Sequence, residues 1–132
     1  MSRPCPCTSK KPYDHCCGPF HSGTAAPETA EQLMRSRFSA YALGKVDYLI
    51  ATRAEAKRGE ENRDELANYC KSVSCVSLKI TRKEKGGKED DSGIVAFHAS
   101  LQASGRRSLH SETSSFVRES GRWVYVDGVV KG

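Results

Sequence analysis

No run of apolar residues in this chain approaches the roughly 18 needed to cross a bilayer as a helix, which excludes a membrane-embedded helical protein. The first residues, Met1-Ser2-Arg3-Pro4-Cys5, go straight into cysteines and prolines. They lack the apolar stretch of about 7 to 15 residues that an export signal requires, so a cytoplasmic location is expected. No internal repeat, low-complexity tract, Gly-rich phosphate loop or nucleophile motif is present, and nothing nominates a phosphate-handling or triad-type enzyme. Charge of one sign is also in short supply. Lys and Arg number 21 against 16 Asp and Glu, a net charge of +5, which favours anionic partners without the density of a dedicated DNA binder. At 132 residues the chain is long enough for one modest core plus a small appended module.

What the chain does have is cysteine, and most of it in one place. Residues 1–27 hold four of the six cysteines, all five prolines, and glycines at 18 and 23, a composition that predicts turns rather than regular elements. In a reducing compartment clustered thiols are more often metal ligands than disulfides. Cys5-Pro6-Cys7 and Cys16-Cys17 flank a Lys10-Lys11-Pro12 reversal that can fold the two pairs together, and four soft thiolates in a tight loop suit a tetrahedral zinc ion. Such a shell has no open position for water, so the site is expected to be structural. Either His15 or His21 can replace an adjacent cysteine, and the same four thiolates accept iron as well as zinc. A redox pair or disulfides at Cys16-Cys17 is the competing reading. Arg3, Lys10 and Lys11 can offset the negative charge or meet an anionic partner such as nucleic acid, although solvated surface charge explains them equally well. Cys70 and Cys75 read as small buried hydrophobes.

Residues 28–132 read as one α+β domain. Thr29 caps a helix ending at Leu43-Gly44, with Met34, Phe38, Tyr41 and Ala42 at helical spacing and Arg37 beside the stripe. Val46 to Thr52 reads as a second helix and Glu60 to Lys71 as a third, separated by the charged surface stretch 55–59. Beyond Val73 the period changes to two. Strands are expected around Val76–Thr81, Val95–Leu101, Leu109–Phe116 and Arg122–Asp127, with turns at 85–93, Ala103-Ser104-Gly105 and Glu119-Ser120-Gly121. Helices followed by an antiparallel meander predict the long helix packed across a curved sheet. The alternation turns His98 away from the apolar face and puts His110, Glu112, Ser114 and Phe116 on one face. A His110–Glu112 dyad is conceivable for proton transfer, whereas a structural pair between Glu112 and Arg37, which like Tyr41 faces the core, is the commoner arrangement.

Four blocks carry a resemblance. Cys5-Pro6-Cys7 with Cys16-Cys17-Gly18-Pro19-Phe20-His21-Ser22-Gly23 is similar to the SEC-C motif. Together with Leu33-Met34-Arg35-Ser36-Arg37-Phe38-Ser39-Ala40-Tyr41, Phe116-Val117-Arg118-Glu119 with Gly121-Arg122-Trp123, and Val126-Asp127-Gly128, it resembles the YchJ family over nearly the whole chain. The resemblance implies a cone-shaped half-barrel of the nuclear-transport-factor-two superfamily, zinc in the cysteine motif, and docking on a protein or ribosome, as a monomer or homodimer. A pocket for a small molecule between long helix and sheet is the alternative it implies. The chain departs from the pattern where Thr8-Ser9-Lys10 replaces a Gly-Ser-Gly-like turn, and at Thr113 and Ser115, where members look to carry arginines.

Overall fold

Thr29 opens the longest helix, its hydroxyl accepting the Gln32 N–H at 3.1 Å, and the left-handed Gly44 closes it. In a computed structural model that describes residues 3–131, the helices are α1 (Gly18–Ser22), α2 (Ala30–Leu43), α3 (Val46–Ala51) and α4 (Arg63–Ser72). They precede strands β1 (Ser74–Lys85), β2 (Ser92–Ala103), β3 (Arg106–Glu119) and β4 (Arg122–Lys131). The strands form one antiparallel sheet in the order β1-β2-β3-β4, the expected meander. Its two later hairpins turn on Ser104-Gly105 and Ser120-Gly121, all four residues at positive φ, the backbone that two-residue hairpin loops require. Among the described residues no helix is long and apolar enough to cross a membrane.

Three features depart from the sequence reading. The cysteine-rich segment contains regular structure after all: a 3-10 turn at Tyr13–His15 and the five-residue α1. Pro19 at the start of α1 fits the fixed φ of a helix's first turn, and Gly23 ends it in the left-handed region. The charged stretch after α3 winds into a 3-10 helix, Glu55–Glu60, and α4 starts at Arg63 rather than Glu60 because Asn62 caps it, accepting the Glu65 N–H at 2.9 Å. Register shifts mark bulges at Val76 and Thr81 in β1 and at Val126 in β4. Each extra residue reverses the inside–outside alternation beyond it. Cys75 therefore joins Leu78 and Ile80 on the inner face, and Gly128 rather than Asp127 lies beside Ser114.

The core has two parts, both under α2. Ala30 and Leu33 pack with Val95, Phe116 and Trp123. Phe38 packs with Leu78, Phe97 and Ala99, and three of the clustered cysteines, Cys5, Cys7 and Cys17, belong to this same group. The cysteine segment thus shares its apolar contacts with the half-barrel. Arg118 fastens the far end, donating to the carbonyls of Asp90 (2.7 Å), Lys88 (2.8 Å) and Gly121 (3.1 Å) with its guanidinium over the Trp123 ring.

Candidate metal centre and the half-barrel cavity

A short antiparallel clasp makes the cysteine loop. The Cys5 N–H donates to Lys11 O (2.9 Å), the Tyr13 N–H donates to Arg3 O (2.8 Å), and Pro4 bridges to Pro12. Cys5 and Cys7 project from one arm of the clasp. Cys16 and Cys17 follow the 3-10 turn, where the Cys16 N–H closes on Tyr13 O at 3.0 Å. Gly18 permits the next step, since a Cβ there would lie 2.8 Å from Tyr13 O. The result is that the Sγ atoms of Cys5, Cys7, Cys16 and Cys17 all lie within 4.8 Å of one another. Cys7–Cys16 measures 3.6 Å and Cys16–Cys17 3.9 Å. A regular tetrahedron of sulfurs at about 2.3 Å from a zinc ion has edges of about 3.8 Å. The donor set and its spacing therefore fit a four-thiolate metal ion.

The surroundings are those of a supported site. Ser39 Oγ lies 3.4 Å from Cys5 Sγ and Ser9 Oγ 3.2 Å from Cys16 Sγ, while Arg35 Nη1 donates to Cys7 O at 3.2 Å. Hydroxyls at ligating sulfurs and cations near them orient thiolates and offset their charge. Arg35 is a counter-charge that the spacing of the cysteines does not reveal, because α2 delivers it from 28 residues further along the chain. The bond from the Cys17 thiol holds Cys7 well below the ordinary thiol range, and the same bond together with burial pushes Cys17 up. Neither histidine is among the sulfurs. His15 is exposed, and His21 is committed at both nitrogens, to Tyr13 Oη (2.6 Å) and Ser36 O (2.8 Å). Because Nε2–H must donate to the Ser36 carbonyl, Nδ1 accepts from the tyrosine. His21 thus locks α1 to α2. Cys70 and Cys75 lie outside the group of four. All six cysteines are free thiols in this structure.

The four residues singled out for the half-barrel, Arg37, Tyr41, His110 and Glu112, all line one cavity of about 390 Å³ between α2, α4 and the inner sheet face. His110 and Glu112 pair at 3.0 Å. The expected Glu112–Arg37 pair does not form. Glu112 instead accepts from Ser114 Oγ (2.6 Å) and Tyr125 Oη (2.9 Å), and these bonds, with His110, hold its carboxyl below the usual range although burial works against that. Arg37 turns the other way, donating through Nη1 to Leu49 O (2.8 Å) and Thr52 Oγ1 (2.7 Å), with its guanidinium over the Tyr125 ring. Tyr125 and Gly128 are the residues of this network that periodicity misses, the latter because it reaches the inner face only through the bulge at Val126. A Cβ at Gly128 would collide with the Glu112 side chain, so that glycine makes room for the carboxylate.

Comparison with known proteins agrees with this architecture. The family described as YchJ, middle NTF2-like domain, matches residues 29–128. A UPF0225 protein of Vibrio parahaemolyticus is 41% identical over 128 residues, covering 97% of this chain and 75% of its own length. One from Actinobacillus succinogenes is 37% identical over 131 residues, covering 99% and 84%. The solution structure of a SEC-C motif containing protein from Rhodopseudomonas palustris superposes with a TM-score of 0.87 at 30% identity over 100% of both chains. A SEC-C motif containing protein from Psychrobacter arcticus shares the fold, with a TM-score of 0.82 at 24% identity, over 100% of this chain and 84% of that one. The chain belongs to the YchJ family and carries an NTF2-like fold behind an amino-terminal cysteine cluster that could hold a metal ion.

Proposed function

We propose that this protein binds one structural zinc ion through Cys5, Cys7, Cys16 and Cys17, and that the metal-braced knuckle, residues 1–27, docks the half-barrel domain, residues 28–132, onto a protein or ribosomal surface. The observation that carries the reading is the convergence of four sulfurs within 4.8 Å. That arrangement leaves no open coordination position for catalysis and so favours a fold-stabilising ion. The docking half rests on charge. Lys10 and Lys11 stand exposed on the knuckle's reversal, with Arg3 on the neighbouring arm, where they can meet phosphate or acidic side chains.

Elemental analysis of protein purified without added metal tests the first half. One equivalent of zinc is expected, lost when Cys7 and Cys16 are replaced by serine. One equivalent of iron would replace zinc in the reading, and metal-free protein that still folds would refute it. Co-sedimentation with ribosomes on sucrose gradients tests the second half. A Lys10→Glu, Lys11→Glu double variant that keeps its metal is expected to lose association that the unchanged chain shows. Equal behaviour of the two would remove the basic reversal from the docking surface.

A further inference from the structure

Among the described residues Arg37 is a buried cation without a carboxylate partner. The residue is only 5% exposed, and an arginine so buried normally has a carboxylate partner. The acids within reach are engaged elsewhere. Glu61 pairs with Arg53 at 3.6 Å, and Glu112 is bonded to His110, Ser114 and Tyr125. A guanidinium has five N–H donors in a rigid fork. Among the described residues Arg37 uses only Nη1, toward Leu49 O and Thr52 Oγ1. The Nε–Nη2 edge, the side that grips a carboxylate with two parallel bonds, meets no protein acceptor there. Arg37 lines the 390 Å³ cavity, whose other walls are mainly apolar and aromatic, including Phe38, Tyr41, Leu66, Tyr69, Phe97 and Leu101. A site of this size, apolar with few polar groups, has the form of a small-ligand pocket, for which roughly 300 to 1,000 Å³ is usual.

We propose that the half-barrel cavity binds a small monocarboxylic acid with an apolar body, its carboxylate on the free edge of Arg37 and its body against the aromatic wall of α2, α4 and β2. A single negative charge matches the one guanidinium among the described residues that line the cavity. The Glu112 carboxylate on the sheet side turns away a second acidic group, so the class is monoanionic. The proposal stands apart from the metal reading, since none of the four clustered cysteines lines this cavity.

The test uses the full chain as purified and two matched probes, 4-phenylbutanoate and its uncharged amide, followed by ligand-detected NMR and isothermal titration. The acid is expected to bind saturably and at least about tenfold tighter than the amide, the loss expected when a charge-assisted pair is replaced by a neutral contact. Arg37→Gln, checked for folding by circular dichroism, should erase that preference. Leu66→Trp, which fills the cavity from α4 and leaves Arg37 in place, should weaken both probes by about tenfold or more. Absence of saturable acid binding up to about 10 mM, an amide that binds as tightly as the acid, or acid binding untouched by Leu66→Trp would each overturn the proposal. The comparison of acid with amide needs no variant, so it decides the matter even where Arg37→Gln does not fold.

Discussion

Thr8 and Lys10 stand in the left-handed region, at φ 61° and 73°, where the SEC-C-like pattern carries glycine. Holding an L-residue there costs roughly 1–2 kcal/mol, and glycine gives back part of that gain, about 0.5–1 kcal/mol, through the freedom it has when unfolded. Lys10 is exposed, so Lys10→Gly should stabilise the protein by about 0.5–1 kcal/mol, a rise in Tm of roughly 2–4 °C for a chain of this length. Thr8 differs because its hydroxyl is tied to β1. Oγ1 accepts the Leu78 N–H at 3.1 Å and directs its own proton toward Cys7 O (2.7 Å) and Leu78 O (3.1 Å). Thr8→Gly relieves the backbone but leaves the part-buried Leu78 N–H without its acceptor, at a cost of up to about 1–3 kcal/mol, so it should destabilise by about 1 kcal/mol. The assay is thermal and urea denaturation followed by circular dichroism, on samples matched for metal content. Opposite signs at two positions two residues apart are the diagnostic. A loss of stability in Lys10→Gly, or a shift of both variants in the same direction, would refute the account.

Gly128→Ala should drive a methyl group into the Glu112 side chain and destabilise by about 1–3 kcal/mol, the usual effect of overpacking; adding Glu112→Ala should recover part of the loss, which thermal melts of the single and double variants will measure. The depressed carboxyl of Glu112 contributes stability that is fully present above its unfolded value and lost as pH falls through the lower folded one. Below about pH 4.5 the unchanged protein should therefore lose stability more steeply than Glu112→Gln, and parallel curves for the two would show that the hydrogen bonds to Glu112 do not favour its charged form.

Much of the fold is legible from local chemistry. The Thr29 cap, the Gly44 stop, the alternation of β2 and the Ser-Gly hairpins are each decided within a few residues, and so is the meander they produce. The convergence of the cysteine pairs is legible because a Pro-bounded reversal leaves the chain few ways to run. What escapes is set by distant partners. Whether Cys75 or Val76 faces inward depends on a bulge in pairing with β2, and whether Asp127 or Gly128 lies near Glu112 depends on another opposite β3. Periodicity assumes an unbroken count of two and therefore places Asp127 where Gly128 is. Arg37 escapes for a related reason. Helical spacing puts it near the core, but its acceptors, Leu49 O and Thr52 Oγ1, belong to α3 and the turn after it, and only the packing of α3 on α2 selects them over Glu112.

That packing gives α2 two working faces. Arg35 and Ser39, one turn apart, reach the cysteine cluster through Cys7 O and Cys5 Sγ. Met34, Arg37 and Tyr41, at helical spacing on the adjoining face, line the cavity, and Phe38 between them touches both groups. Neither face can shift without the other, because a single helix of 14 residues carries both and is pinned at its start by Thr29 and along its length by His21 to Ser36 O. The cysteine cluster and the cavity thus meet on one helix: α2 touches the sulfurs through Ser39 and Phe38, and it also carries Arg37, the one buried cation without an acidic partner among the described residues.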